Sequence, residues 1–569
     1  MNAPLTESYS RGPTDTPLIE QTIGDFYDAM TARQPERDAL ISRHENRRLT
    51  YRQLQTEANQ LASALLRLGL APGDRVGIWS HNNVPWVLMQ LATAKAGLIL
   101  VNINPAYRVA ELEYALNKVD CKALVTMPRF KSSDYLGMIR ELAPELARSR
   151  PGALAAQRLT HLRTVVWIDQ PGQGENEPGA LRFSDLLASG DPADERVAQI
   201  QRALKATDPI NIQFTSGTTG FPKGATLTHR NILNNGFFIG ECMRLTSADR
   251  LCIPVPLYHC FGMVLGNLAC LTHGAAIIYP NDSFDPLAVL QAVQAEKCTG
   301  LHGVPTMFIA ELQHPRFKEF DLSTLRTGIM AGSPCPIEVM KRVVDDMHLS
   351  EMTIAYGMTE TSPVSCQSDI DTPLEKRIST VGKVQPHLEV KVVDRETGAT
   401  VASGTPGELC ARGYSVMRGY WDDPAKTGEV IDAENWMHTG DLATMDAEGY
   451  VNIVGRIKDM VIRGGENVYP REIEEFLYRH PKVQDVQVVG VPDSRYGEEL
   501  CAWVIAKAGQ ELTEDELRQF CKGQIAHYKV PRYIRFVEAF PSTITGKIQK
   551  FRIREMMKEE LHITEEKTA

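Results

Sequence analysis

The sequence predicts an α/β protein in which a large N-terminal domain of helix-covered sheets, with a β-barrel-like subdomain, precedes a small, mobile α+β domain. Three observations lead to this prediction. Helical and strand patterns alternate through the first half, short alternating strands begin near Leu388, and a separate set of helices and strands follows Gly455. A chain of 569 residues can hold several domains and bury a large core without disulfides or structural metals.

The first half supplies the helix-covered sheets. Residues 51–70 carry apolar side chains at helical spacing, and the turn in "APGDRVGIWS" then leads into a short strand. The stretch "PWVLMQLATAKAGLILVNINP" predicts a helix, a glycine stop and an apolar strand, and "CKALVTMP" and "LRTVVWID" add further short apolar runs. Strands that alternate with helices of this length favour parallel sheets covered by helices.

One uncharged segment, Phe261 to Pro280, has the length of a membrane-spanning helix. Three glycines interrupt it, and Asn267, Thr272 and His273 lie in its middle. We therefore predict a buried helix that continues into a buried strand, and no transmembrane segment.

The second half changes character twice. From Leu388, "LEVKVVD" and "PGELCARG" alternate as antiparallel, barrel-like strands do. After Gly455, a helix entered through Pro470 precedes two strands, a second helix, another strand and a charged final helix. We predict an N-terminal domain of residues 1–455 and a C-terminal lid domain of residues 456–569.

Composition narrows the class of protein. Hydrophobic content of 43% and charged content of 23% are typical of a globular protein, and a formal charge of -10 argues against a nucleic-acid partner. The eleven cysteines include no CxxC pair and no Cys/His cluster at zinc spacing, which favours a reduced intracellular compartment. The polar N-terminal stretch lacks the apolar core of a signal peptide. We predict a soluble, cytoplasmic protein.

The segment from Thr215 to Gly224, "TSGTTGFPKG", has the composition of a phosphate-binding loop. It follows the apolar strand "DPINIQF" and leads toward a helix expected to begin near Thr228 or His229. Glycines let backbone N–H groups approach an anion, hydroxyls add donors, and a lysine neutralises charge. The spacing departs from the P-loop, because Gly224 stands where a hydroxyl residue would hold magnesium. The residues expected to face a polyphosphate are Thr215, Ser216, Thr218, Thr219 and Lys223.

Several motifs, in order, resemble those of the adenylate-forming superfamily, which includes acyl-CoA synthetases, peptide-synthetase adenylation domains and firefly luciferases. The resemblance covers about Thr22 to Glu555. Besides the glycine loop, the motifs are "AGSPC" (Ala331–Cys335), "YGMTETSP" (Tyr356–Pro363), "WMHTGDLA", "GRIKDMVIRGGENVYPREIE" and "PSTITGKIQK".

The resemblance implies ATP, Mg²⁺ and coenzyme A as ligands. Glu360 would hold Mg²⁺, since a hard cation prefers carboxylate oxygens, and Asp441 would accept hydrogen bonds from both ribose hydroxyls. Arg456 matches the nucleotide-binding arginine, and Ala331–Cys335 would lie against adenine. The implied catalytic residues are Lys547, Glu360, Thr218 and His259. The implied nucleotide contacts are Thr215, Ser216, Gly217, Thr218, Thr219, Gly220, Lys223, Gly332, Ser333, Tyr356, Gly357, Thr359, Asp441, Arg456 and Lys547.

The family reaction has two halves, which place conflicting demands on one site. A carboxylate first attacks the α-phosphate of ATP, where Lys547 would stabilise the developing charge, and a thiol then attacks the acyl carbonyl. The resemblance implies that the C-terminal domain rotates about Lys458 between the halves. That rotation would replace the lysine loop by Gly464 and Gly465, which would let the pantetheine arm pass; an ordinary tight turn is the alternative for these glycines.

The substrate is predicted to be an aliphatic acid. Peptide-synthetase relatives hold the substrate amino group with an Asp early in this region, whereas "PLYHCFGMVLGNLAC" contains no acid. His259 matches a position beside the substrate carboxylate, although a satisfied core histidine is the alternative. Val304, Gly332 and Met358 would line an acyl pocket of moderate, apolar side chains. The pattern is most similar to medium-chain fatty acyl-CoA synthetases. Short branched and aryl acids stay open, because one methylene contributes only about 0.8 kcal/mol.

Two other functions compete with an acyl-CoA ligase. A fatty acyl-AMP ligase that loads a carrier protein would carry an insertion after the hinge, and none is visible between Arg456 and Tyr469. A nucleotide-binding regulatory protein without catalysis is disfavoured by the presence of Glu360 and Lys547. The expected partners are a carboxylic acid, ATP and coenzyme A, and a homodimer stays open.

Overall fold

The computed structural model describes residues 4–169, 177–215, 222–333, 335–464, 466–493, 495–543 and 546–562. Helices cover two large mixed sheets, a barrel-like antiparallel sheet follows, and a small α+β unit ends the described chain. The predicted fold class is confirmed.

The strands are short and numerous. In chain order they are β1 (Tyr9–Arg11), β2 (Asp38–Ser42), β3 (Arg47–Thr50), β4 (Arg75–Trp79), β5 (Ile99–Asn102), β6 (Ala123–Thr126), β7 (Arg129–Phe130), β8 (Ser133–Asp134), β9 (Thr164–Trp167), β10 (Leu181–Arg182), β11 (Pro209–Thr215), β12 (Lys223–Thr228), β13 (Arg250–Cys252), β14 (Ala276–Tyr279), β15 (Gly300–Gly303), β16 (Thr327–Met330), β17 (Glu351–Gly357), β18 (Val364–Gln367), β19 (Lys383–Val384), β20 (Leu388–Val393), β21 (Gly407–Gly413), β22 (Gly419–Tyr420), β23 (Met437–Met445), β24 (Val451–Arg456), β25 (Val461–Arg463), β26 (Glu466–Val468), β27 (Val483–Asp493), β28 (Gly497–Ala506) and β29 (Tyr533–Phe536).

The helices alternate with these strands through most of the chain. The α-helices are α1 (Ile23–Arg33), α2 (Tyr51–Arg67), α3 (Val84–Ala96), α4 (Val109–Lys118), α5 (Tyr135–Leu142), α6 (Phe183–Ser189), α7 (Glu195–Ala203), α8 (His229–Cys242), α9 (Ala269–His273), α10 (Pro286–Glu296), α11 (Pro305–Leu312), α12 (Ile337–Asp346), α13 (Leu374–Ser379), α14 (Pro424–Gly428), α15 (Pro470–Leu477), α16 (Glu514–Cys521) and α17 (Lys550–Glu560). Short 3-10 turns span Pro144–Arg148, Phe317–Glu319, Thr359–Thr361, Ile457–Asp459 and His527–Lys529, and Phe261–Leu268 is a π-helix.

Two large sheets position the site. Sheet A has the order β10-β9-β6-β4-β5-β11-β12-β22, and sheet B has the order β19-β18-β17-β16-β15-β13-β14-β2-β3. Neighbours are parallel from β10 to β11 in sheet A and from β2 to β17 in sheet B, and the remaining strands are antiparallel additions. The inner parallel strands are apolar and buried because helices cover both faces.

Helix α3 shows how local sequence fixes these elements. Asn83 caps its first turn by accepting from the Trp86 N–H at 2.9 Å, and Gly97 ends it with φ of +68°. Strand β5 follows at once, which confirms the predicted helix, glycine stop and strand. Every residue of α3 is buried. The π-helix, α9, Gly274 and β14 likewise confirm the buried helix and strand predicted for Phe261 to Pro280.

The glycine loop joins two strands, which corrects one expectation. Strands β11 and β12 are antiparallel neighbours, with Thr215 opposite Lys223. Helix α8 begins at His229 with Thr228 as its N-cap, as predicted, but only after β12. Ladder bonds on both sides, to β11 and β22, satisfy the backbone of β12. The N-terminus of α8 therefore lies a strand's length, about 20 Å, from the loop and does not contact a phosphate held there.

Sheet C contains the barrel-like strands, in the order β1-β20-β21-β23-β24, and every described pair is antiparallel. Sheet D contains β26-β25-β28-β27, with β29 parallel to β28. Two apolar clusters consist solely of residues from Val461 onward, and α15 and α17 both pack on β27. The C-terminal unit thus has a core of its own.

All eleven cysteines are free thiols, and ten of them are buried. Within the described ranges, no helix combines the length and the apolar character that crossing a lipid bilayer requires.

Candidate active site

The carboxyl ends of the parallel strands in sheet B converge on one edge. Val304 follows β15, Gly332 and Ser333 follow β16, and Tyr356 and Gly357 close β17. Ligands of open α/β sheets bind outside this edge. Gly332 has a φ of +89°, and a Cβ there would lie 3.1 Å from Cγ1 of Val304. The backbone after β16 therefore packs closely against Val304, and a side chain would fill that space.

Glu360 stands at the junction between the two large sheets. Its Oε1 accepts hydrogen bonds from Thr215 Oγ1 at 3.1 Å and from the Tyr420 hydroxyl at 2.9 Å. Lys223 Nζ lies 4.9 Å from the centroid of the Tyr420 ring. One described end of the glycine loop, Thr215, therefore contacts the predicted metal ligand, and the other, Lys223, lies over the tyrosine that also contacts it. Ser216, Gly217, Thr218, Thr219 and Gly220 lie outside the described residues.

Tyr420 is a site residue that sequence reasoning missed. It ends β22, which pairs with β12 beside the glycine loop. Burial raises its pKa well above the ordinary value, and the negative charge of Glu360 acts in the same direction. Its hydroxyl therefore stays protonated and donates to Glu360. No local motif marks this tyrosine, because its role depends on strand pairing.

The donor set at Glu360 suits a hard divalent cation. Carboxylate and hydroxyl oxygens are the protein ligands that Mg²⁺ prefers, and Glu360 and Thr215 supply one of each within 3.1 Å. Thr359 lies beside them in the Thr359–Thr361 turn, next to Cys260. Burial raises the pKa of Cys260 to about 12, so this thiol is no nucleophile at neutral pH.

Asp441 forms the centre of a second polar group. The Tyr356 hydroxyl donates to Asp441 Oδ2 at 2.7 Å, and Arg456 Nε lies 3.5 Å from Oδ1. Asp441 and Arg456 are cross-strand partners on β23 and β24. Burial raises the pKa of Tyr356 well above its ordinary value, with the Asp441 charge adding to the shift, so the tyrosine remains a donor. Three predicted nucleotide contacts thus meet at one carboxylate.

Lys547 reaches this cleft from the C-terminal unit. It sits in a tight turn in which Lys547 N donates to Thr543 Oγ1 at 3.1 Å. The preceding Gly546 has a φ of +78°, and a Cβ there would lie 2.9 Å from Val304 Cγ2 and 3.0 Å from Thr306 Oγ1. The turn is therefore docked on the residues that follow β15.

The charges of two other predicted site residues, Arg456 and Asp441, act on Lys547. Burial lowers its pKa to about 8, and the positive charge of Arg456 adds to the shift while Asp441 opposes it. The Lys547 side chain itself is exposed, so this burial reflects protein atoms that crowd around a lysine which solvent still reaches. A lysine that titrates near neutral pH and faces polar ligands indicates a functional site.

His259 lies close enough to Lys547 to feel its charge. Burial lowers the pKa of His259 to about 4, and Lys547 acts in the same direction. His259 Nδ1 accepts from the Phe261 N–H at 3.2 Å, so the neutral ring carries its proton on Nε2. At neutral pH this residue can donate one hydrogen bond to a carboxylate, but it carries no positive charge.

The remaining predicted residues belong to the hinge, the acyl pocket and the coenzyme A path. Lys458 lies in the Ile457–Asp459 turn, which follows β24 and precedes sheet D, and its charge reaches Lys547. Met358 follows Tyr356 and Gly357 at the strand edge. Gly464, with φ of +60°, turns between β25 and β26, and its N–H donates to Tyr496 O at 2.8 Å. That contact lies within the C-terminal unit, and Gly465 lies outside the described residues, so the coenzyme A path stays a prediction.

Comparison with known proteins agrees with this geometry. The model of the AMP-binding enzyme family matches residues 27–421, and that of the AMP-binding enzyme C-terminal domain matches residues 472–547. "Medium-chain acyl-CoA ligase ACSF2, mitochondrial" of Macaca fascicularis is 48% identical over 562 residues, covering 98% of this chain and 90% of that protein. "Putative acyl-CoA synthetase YngI" of Bacillus subtilis (strain 168) is 49% identical over 539 residues, covering 95% and 97%.

Among solved structures, MatB from Rhodopseudomonas palustris is 29% identical, covering 94% of this chain and 99% of MatB. The TM-score is 0.81 to the ATP-bound form and 0.72 to the apo form. The fold, the convergent motifs and the family models that match most of its length show that this chain belongs to the AMP-binding enzyme family.

Proposed function

We propose that this protein is an ATP-dependent acyl-CoA ligase that converts a carboxylic acid to its coenzyme A thioester through an acyl-adenylate, releasing AMP and pyrophosphate. The position of Lys547 carries the proposal. This lysine comes from the C-terminal unit, yet it is near enough to Arg456, Asp441 and His259 for their charges to influence one another. A cation delivered to a cleft that also offers ribose acceptors suits the transfer of an adenylyl group.

The first half-reaction forms a mixed anhydride. An oxygen of the substrate carboxylate attacks the α-phosphorus of ATP, a new P–O bond forms, and the bond to pyrophosphate breaks. Negative charge moves onto phosphoryl oxygens, so the chain contributes mainly positioning and electrostatic stabilisation. Lys547 supplies the positive charge, while the neutral His259 donates from Nε2 to the carboxylate.

The nucleotide is oriented by groups on separate sheets. Asp441 is an acceptor-only carboxylate, and its remaining lone pairs can accept from ribose hydroxyls while Tyr356 holds Oδ2. Lys223, across the hairpin from Thr215, would neutralise phosphate charge. Glu360 and Thr215 would hold Mg²⁺, which when bound neutralises phosphate oxygens and favours departure of pyrophosphate.

The second half-reaction requires the cleft to be rearranged. The thiol sulfur of coenzyme A attacks the acyl carbonyl, and AMP leaves as the C–O bond to phosphate breaks. The docked turn of Gly546 and Lys547 lies against Val304 and Thr306, beside the place where the acyl group would begin. We propose that residues 456–569 rotate as a lid about Lys458 to withdraw this turn.

Two observations support the rotation. The C-terminal unit has its own apolar core, so it can move without exposing that core. In addition, the chain resembles the ATP-bound form of MatB more than its apo form at the same identity and coverage. The arrangement described here fits the first half-reaction, in which the lysine turn is docked.

The acid is proposed to be a medium-chain fatty acid. The relatives at 46–49% identity include several named medium-chain acyl-CoA ligases. Val304 lies directly beside the lysine turn. The π-helix, Phe261–Leu268, shares an apolar cluster with Val304, is buried throughout and has Asn267 as its one polar side chain. Apolar walls next to a hydrogen-bonding carboxylate site suit an aliphatic chain. Because the names of these ligases include "mitochondrial", the cytoplasmic location predicted for this chain stays a prediction.

A panel of acids tests the proposal. The full-length protein is incubated with ATP, Mg²⁺ and straight-chain acids of two to eighteen carbons or aryl acids, and AMP release is measured with and without coenzyme A. Turnover that requires coenzyme A and peaks at intermediate chain length is expected, with Lys547→Ala as the inactive control. A preference for aryl acids would overturn the medium-chain assignment alone. AMP release no greater than that of the control for every acid would overturn the ligase assignment.

A further inference from the structure

A second group of metal-ligating side chains lies on sheet C, apart from the nucleotide contacts. Cys410 on β21 is the cross-strand partner of His438 on β23. Glu408 lies two residues before Cys410, so both side chains project from the same face of the strand. The register shifts between Glu408 and Cys410 because β23 carries extra residues there, and this bulge turns Glu408 toward His438.

The three side chains converge on one imidazole nitrogen. His438 Nδ1 lies 3.5 Å from Cys410 Sγ and 3.1 Å from Glu408 Oε2. The sulfur, the nitrogen and the carboxylate oxygen all lie within 4.8 Å of one another. Among the described residues, this is the one group of three or more His, Cys, Asp or Glu side chains with that spacing.

The spacing matches tetrahedral coordination by a small divalent ion. Zinc lies about 2.3 Å from a cysteine sulfur and about 2.0–2.1 Å from a histidine nitrogen, which places the two ligand atoms about 3.5 Å apart at a tetrahedral angle. The same construction for nitrogen and a carboxylate oxygen gives about 3.3 Å. Both values agree with the observed separations within the tolerance expected of a metal site.

We propose that Glu408, Cys410 and His438 form a Zn²⁺ site that holds strands β21 and β23 together. On ligation the Cys410 thiol releases its proton to solvent, and the thiolate and the Glu408 carboxylate balance the two positive charges of zinc. The His438 and Glu408 side chains keep 34% and 16% of their surface accessible, so water can complete the fourth position.

The surroundings support a metal ligand role for His438 and Glu408. Asp432 Oδ2 lies 3.6 Å from His438 Nε2, and a carboxylate behind a ligating imidazole orients the ring and raises its basicity. Glu408 Oε1 accepts from the Gly440 N–H at 3.1 Å, which leaves Oε2 for the ion. Trp436 packs against Cys410 and forms an apolar wall on that side.

This site lies next to the nucleotide cleft. Glu408 accepts a hydrogen bond from the Gly440 N–H in the bulge of β23. The next residue, Asp441, contacts Tyr356. A metal bound here would fix the backbone from His438 to Asp441. The site is distinct from the Mg²⁺ position at Glu360, because it offers sulfur and nitrogen ligands that Mg²⁺ avoids and Zn²⁺ selects.

Cobalt provides a direct probe of the sulfur ligand. Tag-free, full-length protein is stripped with a chelator and titrated with Co²⁺, and the absorption of a thiolate-to-cobalt charge transfer is recorded in the near ultraviolet. One equivalent of Co²⁺ is expected to saturate the band, and Zn²⁺ should abolish it by displacement. The Cys410→Ser variant should lose the band, whereas Cys521→Ser, which alters a buried thiol of helix α16, should keep it.

The variant at Asp432 tests the proposal without changing a ligand. Asp432→Asn should keep the band but weaken Zn²⁺ binding by about 10–100-fold, as loss of an orienting carboxylate usually does. Absence of saturable binding in the unmodified protein would overturn the proposal, whatever the folding of the variants. A charge-transfer band that persists in Cys410→Ser would overturn it as well, because the sulfur would then come from elsewhere.

Discussion

The lowered pKa of Lys547 predicts a specific pH dependence for the first half-reaction. In the proposed mechanism adenylation needs the ammonium form of this lysine, and its pKa is lowered to about 8 by burial and by Arg456. A cationic group with a depressed pKa loses its charge as the pH rises through that value. The protonated fraction is about nine-tenths at pH 7 and about one-tenth at pH 9, which follows from one unit on either side of the pKa.

The expected result is a fall of about tenfold in kcat/KM for acid-dependent exchange of pyrophosphate into ATP between pH 7 and pH 9. This parameter reports the free enzyme, to which the pKa applies. In kcat the decline should begin at higher pH, since bound phosphate favours the charged lysine. A lysine at its ordinary pKa would show no decline before about pH 10.

Two variants separate charge from structure. Lys547→Ala should reduce the exchange by at least about 10²–10³-fold, the cost of losing one oriented group at a developing charge, while thiolysis of supplied acyl-adenylate is spared. Lys547→Arg keeps its charge at every pH tested, so whatever rate remains should be flat from pH 7 to pH 9. An unchanged decline in Lys547→Arg, or a flat profile in the unmodified protein, would refute the reasoning.

Three further outcomes follow from particular contacts. Lys458→Pro, which fixes φ near −65°, should spare pyrophosphate exchange and abolish thiolysis. The control Lys458→Ala should retain both half-reactions. Survival of thiolysis in the proline variant would exclude rotation at this residue. Gly546→Ala adds a Cβ about 2.9 Å from Val304 Cγ2 and should reduce exchange by about tenfold or more. The matched Gly509→Ala has a similar positive φ, +74° against +78°, with nothing within 4 Å of the added Cβ, and it should leave exchange unchanged. An equal loss in both variants would point to backbone strain alone. Finally, neither carboxylate oxygen of the buried Glu311 has a hydrogen-bond partner within the described part of the chain, and burial raises its pKa well above the ordinary value. The folded-state pKa of Glu311 exceeds its unfolded-state pKa, so the contribution of this carboxyl to stability falls as the pH rises above about 4.5. Glu311→Met should therefore raise the midpoint of thermal unfolding more at pH 8 than at pH 5. An equal increase at both pH values would contradict the raised pKa of Glu311.

The site was only partly predictable from its motifs. Glu360, Asp441, Arg456 and Lys547 were predicted one by one, since each belongs to a short motif with its own chemistry. The contact between Tyr420 and Glu360 could not be predicted, because it depends on β22 pairing with β12. His259 was expected beside the carboxylate, but its neutral state follows from burial and from the neighbouring Lys547, which only folding brings together.

The glycine loop also shows what local sequence predicts and what it misses. Its residue types alone indicated an anion-binding loop, and the start of α8 was predicted because Thr228 is a good N-cap. The strand between them was missed. A six-residue stretch such as β12 becomes a strand when β11 and β22 satisfy its backbone on both sides, and strand partners are set by tertiary topology.

By itself, the sequence determined the alternation of helices and strands, the order of the motifs and the chemistry of each residue, because these depend on spacing within a few turns of chain. Tertiary structure decided which groups share a cleft and what charge they carry there. The cysteines and histidines showed no metal spacing along the chain, yet strand register sets Cys410 opposite His438. Register and burial arise from contacts between distant segments, and no local pattern encodes them.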